Sequence, residues 1–319
     1  MRAPARVHIA LGDLGRVTPR AYGGVGFAIA APEVRVRVIR GAPEIRLPFD
    51  DPLTAHAVGA LHDRLASFTG ELAFGITVEA LPAQHSGLGS KTALLLSIVK
   101  GVAELLGIPL TTEQMQGWSG RGGTSGVGVH SFFHGGVIWD GGHPQCDVPE
   151  LLPSSGRAPA VIPPCLGRYK FPEHWRVCLI QPLGRAIFGE AELEIFRRAT
   201  PIDPLETLAT LGWISYGLIP AFATADLPAL ASSLQMLSTV GFKAKELAEQ
   251  NEDVRTCLSL LHEVGAAAGM SSLGPTIFAI ADKDDARGTG DIDRVAKSLG
   301  AKALWTRGQN IGAQVGAFR

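Results

Sequence analysis

The stretch from Leu81 to Leu106 reads LPAQHSGLGSKTALLLSIVKGVAELL, and it decides how the rest of the chain is read. Just ahead of it Ile76, Val78 and Ala80 alternate with Thr77 and Glu79, the period-two pattern of a half-buried strand, which Leu81-Pro82 then stops. Farther on, apolar residues at 93–96, 98, 99, 102, 103, 105 and 106 leave only Ser97, Lys100 and Glu104 as a thin polar stripe, which predicts a largely buried helix. Between strand and helix lies Gly87-Leu88-Gly89-Ser90-Lys91-Thr92. Glycine tolerates left-handed backbone and close approach, and the first turn of a helix exposes unpaired N–H groups at its positive dipole end. Such a turn is an anion cradle suited to a diphosphate or triphosphate. It is not a Walker A loop, which needs Gly directly before Lys-Ser/Thr where this chain has Ser90, and the dinucleotide fingerprint is not met either. The competing reading is a glycine-rich strand-to-helix turn that binds nothing.

With 319 residues the chain is long enough for one large or two ordinary domains. Hydrophobic residues make up 46% and charged ones 18%, the balance of a globular rather than a disordered protein. A formal net charge of −1 argues against a dedicated nucleic-acid binder. Cys146, Cys165, Cys178 and Cys257 lie far apart with no C-x-x-C pair, so neither a zinc ribbon nor a disulfide framework is expected, and a reducing cytoplasm is the natural compartment. The apolar run ahead of Asp13 is too short for a secretory signal. Thr207 to Ala225 carries no charge over 19 residues, close to the length of a membrane span. Its Thr, Ser, Gly and Pro content fits a buried or interface helix better.

Taken in order, Val7 to Leu11 reads as a first strand, followed by turns at Gly12–Arg16 and Tyr22–Gly26. Val34 to Val38 alternates strictly, an antiparallel strand with a basic face in water. A helix over 51–68 precedes the strand at 76–80, so strands and helices mix without strict alternation, which predicts an α+β fold. A short helix over 112–118 leads into a second glycine-rich stretch, Gly120 to Val129, which must bend sharply or lie against a ligand. Val129 to Gly136, VHSFFHGG, reads as a strand, in which His130 and His134 would stand about 13 Å apart and could not share one metal. The segment from Pro149 to Pro172, dense in proline and holding Ser154-Ser155-Gly156, is the best boundary candidate. Beyond it come a strand over 175–180, a helix from 189 to 198 and several helices over 207–268, including one at 256–268. A third cluster, Gly269 to Thr276, runs into a strand at 277–280, and a last helix and strand close the chain.

Three glycine-rich loops, each beside a strand, resemble in order and spacing the three motifs of the kinase superfamily of galactokinase, homoserine kinase, mevalonate kinase and phosphomevalonate kinase (GHMP). Pro82-x4-Gly87-Leu88-Gly89-Ser90 matches its phosphate loop, and the resemblance spans the chain from about residue 5 to 285. It implies an α+β, two-domain fold: an N-terminal ribosomal-protein-S5-like domain over 1–165 and a C-terminal ferredoxin-like domain over 166–319. In those kinases the middle motif commonly carries Pro-Ser-Gly-x-Asp, whose Asp serves some members as the base that activates the substrate hydroxyl. Here Ser125-Gly126-Val127-Gly128 puts glycine at that place, and glycine cannot take a proton. Gly120-Arg121-Gly122-x-x-Ser125-Gly126-x-Gly128-Val129 and Ser271-Ser272-x-Gly274-Pro275-Thr276, with Gly15-Arg16 and Gly23-Gly24-x-Gly26, are instead similar to one branch, the β-ribofuranosylaminobenzene 5′-phosphate synthases. Leu273 stands where that pattern leads one to expect Trp.

That resemblance implies transfer from 5-phosphoribosyl 1-diphosphate to 4-aminobenzoate or 4-hydroxybenzoate, with loss of CO2 and diphosphate, as a step of methanopterin biosynthesis. It also implies Mg²⁺ as cofactor, a homodimer in the cytoplasm, and neither nucleic acid nor membrane as partner. Ser90, Lys91, Thr92 and the amides of Gly87, Leu88 and Gly89 would serve the diphosphate. Arg16 and Arg121, with Ser125 beside them, are the candidate catalytic anion clamps, each with a surface ion pair as the competing reading. Gly122, Gly126, Ser271, Ser272 and Gly274 would bring backbone against substrate, and Ser90, Asp13 and Asp140 are candidate Mg²⁺ ligands. Two other classes stay open from the sequence: an ATP-dependent small-molecule kinase, and a non-catalytic ligand sensor on the same fold.

Overall fold

The computed structural model describes residues 1–316 apart from 42, 71, 72, 155 and 158–160, so Ser155 and Pro159 of the proline-rich segment lie outside it. Its first half runs β1 (Arg2–Asp13), β2 (Arg20–Arg40), β3 (Ile45–Arg46), α1 (Pro52–Thr69), β4 (Phe74–Ala80), α2 (Ser90–Leu106), α3 (Thr112–Ser119), α4 (Val127–His134), β5 (Val137–Asp140), β6 (His143–Pro144) and β7 (Cys165–Tyr169). These strands form one sheet in the order β3-β4-β2-β5-β7, with β1 and β6 also paired to β2. β7 carries this sheet to Tyr169, a few residues past the expected boundary at 165.

The second half runs β8 (Trp175–Gln181), α5 (Glu190–Ala199), α6 (Pro204–Gly212), a π turn (Trp213–Leu218), α7 (Ile219–Thr224), α8 (Leu227–Leu237), α9 (Gly241–Ala248), α10 (Glu252–Glu263), β9 (Ala267–Met270), β10 (Ile277–Asp282), α11 (Ala286–Ser298) and β11 (Lys302–Thr306). Its antiparallel sheet has the order β11-β8-β10-β9, the ferredoxin-like arrangement, with α5 to α10 all lying between its first two strands in sequence. The α+β expectation holds.

Local chemistry accounts for the elements. Asp51 accepts from Thr54 N–H at 3.2 Å to cap α1, and Pro52 fills its first turn. Thr111 caps α3, with a capping box completed by Gln114. Leu94, Leu96, Ile98 and Val99 of α2 are wholly buried in one core with Val36 and Ile76 of the first sheet, each such side chain contributing roughly 1.5–3 kcal/mol.

Three expectations are corrected. Tyr22–Gly26 is not a turn but part of β2; a Cβ on Gly24 would sit 2.6 Å from the Ala10 carbonyl oxygen, and one on Gly26 2.3 Å from that of Val7, so glycine is what lets β1 lie so close. VHSFFHGG is not a strand. It forms most of α4, because Val129, His130 and Phe132 gain burial against α2 and β1, and Gly135 ends it; tertiary packing overrides the β preference of its aromatics. The histidine rings then stack 6.1 Å apart, His130 Nε2 pairs with the Pro163 carbonyl at 2.7 Å, and no group of three metal-ligating side chains occurs among the described residues. The helix expected over 256–268 stops at Glu263, and Ala267–Met270 becomes β9.

The two sheets share a core. Val7 and Phe27 of the first pack with Trp175 and Phe278 of the second and with Ile214 and Phe222 of the helical segment; the Phe27 and Phe278 rings meet edge to face at 5.6 Å. The chain end returns to the first sheet, where Gln309 N–H donates to the Ala28 carbonyl at 2.9 Å. No helix among the described residues is long and apolar enough to cross a membrane. The uncharged run Thr207–Ala225 turns Ile214, Leu218 and Phe222 into the core and leaves Leu208 and Tyr216 exposed.

Candidate active site

The loop after β4 reaches α2 through two left-handed glycines, Gly87 at φ +85° and Gly89 at φ +71°. Gly89 is the N-cap of α2, and no side chain caps that end. A helix N-terminus is thereby left open to an anion. The loop is held from behind by β1 and by the third glycine-rich cluster. Arg6 N–H donates to the Leu88 carbonyl at 3.1 Å, and the Arg6 guanidinium donates to that of Gly87. Ser271 Oγ donates to the Gly87 carbonyl at 2.8 Å and accepts from His8 N–H at 3.0 Å, while Ser272 N–H donates to the His8 carbonyl at 2.8 Å. The cluster is itself fixed by Lys243, buried in α9, whose Nζ donates to the carbonyls of Met270 and Ser272 at 3.2 and 3.0 Å and pairs with Glu246.

The second glycine-rich loop closes the opposite wall. Arg121 reaches across the cleft, with Nε donating to Thr92 Oγ1 at 3.1 Å and Nη2 to Ser154 Oγ at 3.3 Å. Two chambers result. An outer one of about 470 Å³ is lined by Gly87, Gly89, Ser90, Lys91 and Thr92, facing His85, Phe188 and Glu190. An inner one of about 60 Å³ is lined by His8, Leu11, Gly122, Ser125, Gly128, Phe196, Glu246, Ser272 and Leu273. Arg6, Thr92, Arg121, Ser154 and Glu192 line both, and so form the junction.

Burial disfavours the charged forms of the cleft's cations, and Glu192 offsets this only in part. Burial pulls the Arg6 guanidinium down to about 10, and the charge of Arg121 adds to the shift. Burial likewise lowers Lys91, again with help from Arg121, and lowers Arg121 itself. A group whose charged form is disfavoured by burial and by like charges gains most when an anion arrives.

Most of the expected residues come together. Gly87, Gly89, Ser90, Lys91 and Thr92 line the outer chamber and Arg121 both, while Gly122, Ser125 and Ser272 line the inner one. Leu88, Gly126, Ser271 and Gly274 lie buried just behind these walls. Three others lie outside the two chambers. Arg16 donates instead to the Pro149 carbonyl at 3.0 Å, in a separate surface depression beside Arg197. Asp13 does not line either chamber; its carboxylate accepts from the N–H groups of Gly15, Val17 and Thr18 and holds that turn. Asp140 is buried behind the inner wall, accepting from Ser125 Oγ at 2.7 Å and Gly142 N–H at 3.0 Å, and its burial pushes its pKa up. Sequence reasoning missed Arg6, His8, Glu192 and Glu246. For the first two a signal existed: polar residues at i and i+2 on one face of an otherwise apolar strand.

The fold is similar to that of the GHMP kinase superfamily, and its cleft sets an open helix end among basic side chains. The family model for the GHMP kinases C terminal matches residues 218–290. In fold the chain is similar to phosphomevalonate kinase of Streptococcus pneumoniae (TM-score 0.66, 13% identity, 96% of this chain and 98% of that one) and to L. major mevalonate kinase (TM-score 0.66, 14% identity, 98% and 96%). Sequence is more specific. The chain is 33% identical to the β-ribofuranosylphenol 5′-phosphate synthase of Archaeoglobus fulgidus, over 99% of this chain and 98% of that one. It is also 33% identical to the synthase of the same name from Methanothermobacter thermautotrophicus, over 98% and 97%. The chain therefore belongs to the β-ribofuranosylphenol 5′-phosphate synthase family, a branch of that superfamily, and is an enzyme.

Proposed function

We propose that this enzyme transfers the phosphoribosyl group of 5-phosphoribosyl 1-diphosphate to a para-substituted benzoate, releasing diphosphate and CO2, as a step of methanopterin biosynthesis. The outer chamber takes the diphosphate against the open end of α2, Lys91 and Arg121. The aromatic acceptor enters from the junction toward the apolar side chains Leu11, Phe196 and Leu273. The C1–O bond to diphosphate breaks with its electron pair leaving on oxygen, and the ring carbon bearing the carboxylate bonds to the electron-poor C1. The carboxylate then departs as CO2, returning the electron pair of its C–C bond to the ring. Atoms and charge balance without a proton being removed from carbon, so the cleft must stabilise the leaving anion, hold the acceptor carboxylate and exclude water. Arg6 and Arg121 at the junction suit the first two tasks.

Gly128 carries this reading. It lines the inner chamber against Thr92, where a Cβ would come within 3.3 Å of Thr92 Cγ2, so the place of the kinase base holds no side chain. Mg²⁺ belongs to the same proposal. Ser90 Oγ and the Glu192 carboxylate are cleft oxygens of the kind a magnesium ion accepts alongside phosphate oxygens, whereas Asp13 and Asp140 are engaged elsewhere. When bound, the ion supplies positive charge to the departing diphosphate. The phenol in the relatives' printed name favours 4-hydroxybenzoate as the acceptor to test first, with 4-aminobenzoate second. A homodimer is part of the proposal too, supported by the exposed apolar side chains Leu205, Leu208 and Tyr216 along one helical segment; light scattering at defined concentration tests it.

The deciding experiment incubates the enzyme with 5-phosphoribosyl 1-diphosphate and carboxyl-labelled 4-hydroxybenzoate or 4-aminobenzoate. Labelled CO2 and diphosphate should appear in equal amounts, and only when both substrates are present. Saturable ADP release from ATP with homoserine, mevalonate, galactose or pantoate, and no CO2, would put a kinase in place of this reading.

A further inference from the structure

We infer that the His85 imidazole, oriented by Asp51, is a further ligand of the diphosphate in the outer chamber. The inference rests on the function proposed above and extends it to a side chain that lies outside the open helix end and its basic neighbours. His85 lines the outer chamber together with the first residues of α2 and with Lys91. It stands in the turn just ahead of Gly87, where Ser86 Oγ donates to the Ala83 carbonyl at 2.7 Å. Its backbone is left-handed, at φ +55°. Residues other than glycine adopt that conformation uncommonly, and such positions gather at active sites and ligand clamps.

Two further contacts fix the ring. Nε2 is sealed from solvent and lies 3.4 Å from Asp51 Oδ2. Contacts of this kind commonly shorten when the ligand binds. Phe188, from the segment that leads into α5, stacks on the ring with 3.8 Å between centroids and 20° between planes. Asp51 is itself held, since its Oδ2 accepts from Thr54 N–H as the cap of α1. Nδ1 is the polar atom left over. Unlike Nε2 it is not sealed, and it has no hydrogen bond among the described residues.

The chemistry of the chamber says what that atom is for. A carboxylate at one imidazole nitrogen sets the orientation and protonation pattern of the ring from that side. A diphosphate oxygen at the other nitrogen gives the ring an acceptor at each end, and the imidazolium is the form that donates to both. Arg6 of β1, Lys91 of α2 and Arg121 of the second glycine-rich loop bring the other cations to this chamber, and Glu190 and Glu192 of α5 line it as well. His85 adds a donor from the side on which Asp51 and α1 stand. Its hydrogen bond to phosphate is charge-assisted, and it strengthens as negative charge builds on the departing oxygen.

The test pairs two substitutions expected to act in opposite ways. His85→Phe keeps a ring against Phe188 and removes both nitrogens. His85→Asn gives up the stack, returns an amide N–H near the Nδ1 position and suits a left-handed backbone. Asp51→Asn keeps the cap of α1 and removes the charge beside the imidazole. Binding of inorganic diphosphate and of 5-phosphoribosyl 1-diphosphate in magnesium-containing buffer is measured by calorimetry, with steady-state constants for both substrates and thermal unfolding to report folding. His85→Phe should bind diphosphate more weakly than wild type by about tenfold or more, His85→Asn within about threefold of wild type, and Asp51→Asn more weakly by about threefold or more, with the acceptor KM changed less than about twofold throughout. In wild type carrying isotope-labelled histidine, diphosphate should move the His85 Nδ1 resonance to its protonated position, and Asp51→Asn should reduce that movement. A folded His85→Phe that binds diphosphate like wild type, a folded His85→Asn as weak as His85→Phe, or an Nδ1 resonance that diphosphate leaves in place overturns the inference alone; the resonance decides even where a variant does not fold. A wild type that binds neither diphosphate nor 5-phosphoribosyl 1-diphosphate overturns the functional reading and this inference with it.

Discussion

Ser271 Oγ donates to the Gly87 carbonyl at 2.8 Å, although 184 residues separate the two in sequence. They are pressed together so closely that a Cβ on Gly87 would lie 2.2 Å from the Ser271 carbonyl oxygen. Ser271 also accepts from His8 N–H, so one hydroxyl joins the phosphate loop, the third glycine-rich cluster and β1. Ser271→Ala leaves the His8 N–H without its partner at a wholly buried position, while the Gly87 carbonyl keeps the Arg6 guanidinium. A buried group left unpaired costs about 1–3 kcal/mol, so urea denaturation should show a loss of about that size, with weaker diphosphate binding. An unchanged unfolding midpoint would mean the loop is held by other contacts.

Arg121 bridges Thr92 and Ser154 with two arms of one guanidinium. Arg121→Lys keeps the charge and loses the fork, and a charge-assisted hydrogen bond contributes about 1.5–3 kcal/mol. The expected outcome is at least a roughly tenfold fall in kcat/KM, since about 1.4 kcal/mol is a factor of ten, with little change in melting temperature. A variant that melts much lower and keeps wild-type kinetics would make Arg121 a structural brace.

The core elements and the phosphate loop were legible in the sequence, because they rest on local rules. The alternation at 76–80 and the apolar surround of α2 each specify one structure, and Gly87 and Gly89 mark left-handed backbone that other residues adopt less readily. What was not legible depends on pairing across the chain. VHSFFHGG is a helix only because α2 and β1 stand beside it. Arg16 and Asp13 sit in a motif that matches, yet neither lines the two chambers, and their side chains bond to the Pro149 carbonyl and to the amides of the turn. Arg6 stood out only as a polar residue on an apolar strand, and its partner Gly87 lies 81 residues away.

Glu246 gives a pH signature. Burial raises its carboxyl pKa, and the nearby positive charges of Lys243 and Arg6 offset this only in part. The folded state therefore keeps this proton at pH values where the unfolded chain has released it. The resulting stabilisation is fully present below the unfolded value and is lost as pH rises through the folded one. Glu246→Gln has no such proton, so whatever its stability in acid, the difference from wild type should move in favour of the variant as pH climbs through that window. Urea midpoints at several pH values check this; movement in the opposite direction would show that the pair with Lys243 outweighs burial.

Gly128 is the residue where the chemistry of this branch parts from that of the kinases, and it can be changed with little risk to the fold. It is the second residue of α4, where an acidic side chain is favoured by the helix dipole by roughly 0.3–1 kcal/mol. A Cβ there meets Thr92 Cγ2 at 3.3 Å, a contact that a small shift relieves. Gly128→Asp should therefore fold and melt close to wild type. Its carboxylate, however, would stand at the inner chamber wall beside Thr92, near the end of α2 that we assign to diphosphate. Like charges there weaken donor binding, so the KM for 5-phosphoribosyl 1-diphosphate should rise tenfold or more, less steeply at high salt. If the variant keeps its donor KM, the diphosphate does not lie against Thr92. If it gains ATP-dependent phosphorylation of a hydroxyl substrate, a single side chain separates the two activities.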